Sequence, residues 1–97
     1  MRVDITDAGH QSFADVCVYQ DLIPTLDDPP PALVDAIEAF AVEGCAPELI
    51  DIDRAQEIID IFTVSFLDEF VAGAAEADAY LTDAYAETIP EISFQRR

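Results

Sequence analysis

The sequence predicts an α/β fold of incomplete outline: one strand, a loop and about three helices, in a single partial domain over residues 1–97. Three observations lead there. Residues 2–6 alternate polar and apolar, as a half-buried strand does. Residues 53–72 carry an apolar arc broader than two short helices can cover. A single strand also leaves backbone N–H and C=O groups without partners, which is costly when they are buried. The remaining strands of a layered sheet are therefore expected to lie outside these residues.

Each element has a local reason. In Arg2-Val3-Asp4-Ile5-Thr6 the β-branched Val3, Ile5 and Thr6 favour a strand. Residues 7–31 read as loop, closed by Asp27-Asp28-Pro29-Pro30-Pro31, because proline breaks helix interiors and cannot donate to a ladder. Proline is favoured at a first helical position. A helix is predicted near 31–43, with Leu33, Ile37, Phe40 and Ala41 on one face and Gly44 as the C′ residue. Asp53 and Gln56 have capping-box spacing for a helix near 53–72. Its stripe runs Ala55, Ile58, Ile59, Phe62, Phe66, Phe70, widened by Ile61, Val64, Leu67 and Val71, and Gly73 ends it. The Phe stripe reads as core, and Asp60, Asp68 and Glu69 as a solvated side. A helix near 76–87 places Ala77, Tyr80, Leu81, Ala84 and Tyr85 on one side and stops before Pro90. Ile92-Ser93-Phe94 reads as a last extended segment.

The chain is 52% hydrophobic, so it is no disordered tail, yet 21 Asp and Glu face four Arg and no Lys, a net charge of −17. That charge repels nucleic-acid phosphates and anionic membranes, so neither is an expected partner. An acidic or salt-adapted proteome or a strongly solvated face accounts for it. A sharper reading is a DNA mimic that blocks a basic groove. No apolar run approaches the roughly 20 residues that span a bilayer. The N-terminus lacks the basic-then-apolar pattern of a signal peptide. Cys17 and Cys45 fit no zinc spacing and read either as buried thiols or as a disulfide. A disulfide here closes a loop of about 29 residues and contributes roughly 3 kcal/mol.

Ala8-Gly9-His10-Gln11-Ser12-Phe13-Ala14-Asp15 holds the only histidine, just past the strand. A strand that runs into Gly-His and a polar loop is a way to present a catalytic base. Asp7 and Asp15 flank it and read as loop acids. Ser12 and Phe13 are expected to shape the loop, Phe13 as an apolar anchor. A metal site from His10, Asp7, Asp15 and Cys17 is a poor zinc set, so no metal is expected, and no cofactor is implied.

Four pieces lie in order along the chain: Ala8-Gly9-His10-x-Ser12-Phe13-x-Asp15-x-Cys17; Glu43-Gly44-Cys45 followed by Ile50-Asp51; Arg54-Ala55 followed by Thr63-Val64-Ser65-Phe66-Leu67-Asp68; and Tyr80-Leu81. Together they resemble the C-terminal end of α/β-hydrolases of the dienelactone hydrolase and platelet-activating-factor acetylhydrolase-like group. The resemblance implies the C-terminal part of an α/β-hydrolase domain, from a serine ester hydrolase acting on a small-molecule ester. It implies His10 as the triad base, with the serine and the acid earlier in the parent chain. It also places Cys17 and Cys45 where members of the group carry cysteine, which implies a disulfide and suits an exported parent. The chain has no Gly-x-Ser-x-Gly elbow: Gly9, Gly44 and Gly73 are far apart, and Ser12, Ser65 and Ser93 are in a loop, mid-helix and near the tail. Without the N-terminal part of the fold it is expected to be inactive. The alternative is a stand-alone acidic helical interaction protein, an inhibitor or DNA mimic.

Overall fold

Strand β1 (Arg2–Ile5) finds its partner at the other end of the chain, in β2 (Ile92–Gln95). The pair is antiparallel, with Val3 opposite Phe94 and Ile5 opposite Ile92. Those four side chains are half-buried, while Arg2, Asp4, Ser93 and Gln95 are exposed. Both strands therefore keep the period-2 alternation that puts one face inward. This corrects the α/β expectation. The computed structural model describes residues 1–96, and it is mostly helical with one two-stranded antiparallel ladder. The strand expected to belong to a larger hydrolase sheet pairs within the chain, so the fold is not read as a piece of an α/β-hydrolase.

The chain divides into two compact units: residues 7–56, and residues 1–6 together with the chain from Glu57 onward. In the sheet-bearing unit, Phe62 is buried, its ring centroid 5.6 Å from Phe94 and 6.5 Å from Tyr85. Ile58, Ala77, Leu81, Ala86 and Ile89 are buried in the same unit. Thr6 N–H donates to the Glu91 carbonyl at 2.7 Å and closes the ladder's end.

In the unit formed by residues 7–56, α1 (Val16–Leu22) packs on α2 (Pro31–Ala41). A 3-10 turn over Ile23–Thr25 follows α1. Residues 7–31 are therefore not all loop. At seven residues with two valines, α1 is below the length at which a helix is stable alone. Tertiary contact and the Cys17–Cys45 disulfide hold it, with Cα atoms 5.7 Å apart. Helix α2 ends at Ala41, and the turn through Val42, Glu43 and Gly44 brings Cys45 N–H to the Ala41 carbonyl at 2.7 Å.

Helix α3 (Ile52–Leu67) gives its first turn to this unit and the rest to the other. Its cap is Asp51 rather than Asp53: one carboxylate oxygen accepts the Asp53 and Arg54 amides at 3.1 Å each. Past Leu67 the chain widens into a π-helical turn, Asp68–Ala72. Gly73 ends that turn at φ 74, a left-handed conformation that costs glycine least. The region expected as one helix over 76–87 is a 3-10 helix, Ala75–Tyr80, and a short α4 (Asp83–Ala86). Thr82 separates them because its hydroxyl accepts the Tyr85 amide at 3.2 Å and so starts a new helix.

Candidate functional site

The loop around His10 is built from its backbone. Asp7 turns the chain at φ 58, a left-handed geometry that Asp tolerates. Its carbonyl accepts Ile50 N–H at 2.9 Å, and the Glu43 carbonyl accepts Gln11 N–H at 3.1 Å. Glycine is required at position 9, since a Cβ there would stand 2.0 Å from the Glu43 carbonyl oxygen. Gly9 N–H donates to Ser12 Oγ at 2.9 Å, and Ser12 N–H donates back to the Gly9 carbonyl at 3.2 Å. Ser12 is fully buried and holds the loop closed.

His10 is exposed at the tip of this brace. Among the described residues, no side chain hydrogen-bonds its ring. The Ser12 hydroxyl already accepts the Gly9 amide in a buried position, which is no place for a nucleophile awaiting a base. Asp7 and Asp15 are exposed, and the Asp15 carboxylate accepts from the Gln56 amide at the long limit of 3.5 Å. Phe13 does not anchor the loop: it is 67% exposed. The structure thus gathers Gly9, His10 and Ser12 in one turn without assembling a catalytic pair. Among the described residues, no cluster of His, Cys, Asp and Glu is arranged to hold a metal.

Among the described residues, a shallow groove lies in each unit away from His10. The first, of about 390 Å³, runs beside the disulfide and is lined by Cys17, Gln20, Asp21, Cys45, Leu49 and Asp51, among others. His10 is not part of its lining. The second, of about 440 Å³, lies along Asp83, Ala86, Glu87, Ile89, Pro90 and Phe94. Each groove carries two carboxylates and no cation.

A third cluster was hidden from sequence reasoning, which treated Glu69 as part of a solvated side. Glu69 is partly buried, and its Oε2 is buried without a hydrogen-bond partner among the described residues. The Arg96 guanidinium bonds the Asp78 carboxylate, donates to the Leu81 carbonyl at 2.7 Å and lies 3.7 Å from Glu69. Burial first, and the Asp78 charge second, push the Glu69 carboxyl above its ordinary value, against a weaker pull from Arg96. The bond to Asp78 pushes Arg96 up. The place of Glu69 among the charged residues of the 53–72 helix gave no sign of this. The signal that could have found it is Arg96 itself, one of the few cations in the chain.

Around all of these, the surface is carboxylate. Of the 21 acidic residues 18 are exposed, Glu69, Asp78 and Glu91 are partly buried, and none is fully buried. Residues 7–56 hold eleven acids against Arg54 alone. Arg2 is paired with Asp4 at 2.8 Å, and Arg96 is paired as described. Among the described residues, no helix is long and apolar enough to cross a membrane. No protein-family model matches the chain, and neither does any curated protein or solved structure.

Proposed function

We propose that this chain is an acidic interaction protein that presents carboxylates to a basic surface of a partner protein. The observation that carries the reading is the exposure of 18 of its 21 acids, with so few cations to offset them. Such a surface speeds encounter with a positive partner and suppresses association with negative ones. Charges exposed to solvent act over about 8 Å at physiological salt, so recognition of this kind weakens as salt rises. An inhibitor that fills a nucleic-acid-binding groove is the specific form this takes if double-stranded DNA competes with it.

The test is capture from a source lysate by the immobilised chain, beside a variant in which about ten exposed Asp and Glu become Asn and Gln. The retained proteins are expected to be basic, to elute between about 0.1 and about 1 M salt, and to be lost from the neutralised variant. Retention of the same proteins by both chains, or of neutral and acidic proteins, overturns the reading. A second reading keeps His10 as a base for a nucleophile supplied by another polypeptide; the exposed ring favours it. Ester hydrolysis that appears on mixing with that polypeptide and is lost with His10→Ala tests it.

A further inference from the structure

Helix α3 turns Ile58, Phe62 and Ser65 inward at helical spacing, and all three are buried. Beyond Phe62 the outward surface is apolar as well. Val64, Phe66 and Leu67, then Phe70 and Val71 on the π-helical turn, are 53%, 39%, 49%, 59% and 76% exposed. The Phe66 and Phe70 ring centroids are 4.8 Å apart, so the two rings make one surface. An apolar stripe on a helix ordinarily faces another element that covers it. Exposed apolar patches with a polar rim mark interaction sites.

Charge selects the occupant. From Ala55 through Arg96 the chain has nine acids and one cation, Arg96, which is already engaged by Asp78 and Glu69. Asp60 and Asp68 are exposed and lie one helical turn on either side of Val64, at the border of the patch. A second copy would set −17 against −17, and an anionic lipid surface is repelled in the same way. An apolar stripe flanked by Lys and Arg complements both the rings and the rim.

We propose that Val64, Phe66, Leu67, Phe70 and Val71 form the docking face for a basic amphipathic helix of a partner protein. The proposal rests on the reading of the chain as an acidic interaction protein and adds the partner's chemistry and the place it docks. Leucines at i, i+3, i+4 and i+7 of the partner lie on the Phe66 and Phe70 rings, and its flanking cations meet Asp60 and Asp68.

The probe is a fluorescent synthetic helix of about 20 residues with that leucine stripe and Lys or Arg between, compared with a scrambled peptide of equal composition. Binding is read by anisotropy at about 0.15 M salt. The amphipathic peptide is expected to bind at least about tenfold tighter than the scramble. Phe66→Ser/Phe70→Ser is expected to erase that advantage and leave the scramble's affinity unchanged. Both rings are exposed, so the variant should fold, which circular dichroism checks. Val71→Lys, at the most exposed position, supplies an independent variant and should weaken the amphipathic peptide about tenfold through charge repulsion. Equal affinity for the two peptides overturns the docking face and leaves the acidic reading standing. Failure of both peptides to bind, even at low salt, removes both. Dimers that depend on Phe66 and Phe70, or binding to phosphatidylcholine vesicles with no preference between peptides, also overturn the proposal by assigning the face to a second copy or to lipid.

Discussion

Replacing both disulfide cysteines, Cys17→Ser/Cys45→Ser, should unfold residues 7–56 well below the melting temperature of the native chain. The cysteines are 28 residues apart in sequence. Closing a loop of that length removes about 12 cal/mol/K of entropy from the unfolded ensemble, or about 3–4 kcal/mol near room temperature. The share is large because the apolar core of this unit is small. The buried apolar side chains among residues 7–56 are Val16, Ala41 and Ala55. Eleven acids against one arginine add self-repulsion that the unfolded chain relieves. At about 4–8 °C per kcal/mol for a domain of this size, the double variant should melt about 15–25 °C lower. Circular dichroism follows the loss of helix, and amide hydrogen exchange resolved by segment shows where it occurs. Protection should vanish first in α1 and α2 and persist longest in β1 and β2. A shift below about 5 °C, or loss of protection in the ladder first, refutes the argument that the cross-link stands in for a core.

Three further outcomes follow from the other unit and from the loop. Phe62→Ala removes the ring packed against Phe94 and Tyr85 and should cost about 3–5 kcal/mol in urea unfolding, while exposed Phe70→Ala should stay within about 0.5–1 kcal/mol; similar costs would show that Phe62 is not the core's centre. The raised Glu69 carboxyl means that the folded state holds this proton more tightly than the unfolded one, so its contribution is full at acid pH and lost as pH rises through the raised value. Glu69→Gln should therefore raise the urea midpoint near pH 7, with the gap closing towards about pH 4; a lowered midpoint near neutrality would mean that the attraction of Arg96 outweighs burial. The isolated chain should not turn over p-nitrophenyl esters, because Ser12 Oγ is buried on the Gly9 amide and no nucleophile elbow exists. Turnover abolished by His10→Ala would place a working nucleophile in these residues.

What the sequence disclosed followed how local each signal was. The alternation of Val3 and Ile5 and the long period of residues 53–72 are readable because each is set by neighbours in sequence. The pairing of β1 with β2 is not, since it joins the two chain ends and no local pattern encodes a contact at that separation. Without that partner, the strand read as part of an absent sheet. Helix α1 was missed for a related reason: its seven residues lack a side-chain cap and are held by Cys17 and by α2. Asp53 has the spacing of a cap, yet the amides at the helix start are taken by Asp51, which only the geometry shows. His10 was easily found, being the sole histidine. That nothing gathers around it is a fact of the fold, as is the brace between Gly9 and Ser12.

The apolar excess of residues 53–72 was legible, but its meaning was not. A stripe of Phe62, Phe66 and Phe70 can be covered by a sheet, by the chain itself or by a partner, and the three look alike in sequence. In the structure they separate. Phe62 meets Phe94 on β2, so the chain's own ladder covers that ring. Phe66 and Phe70 lean on each other and remain exposed. What is left uncovered at these two rings is therefore a helix surface beyond the reach of the ladder. Strand addition pairs backbone to backbone and would leave these rings wet. A helix laid along α3 covers them, and the acids on either side decide its sign.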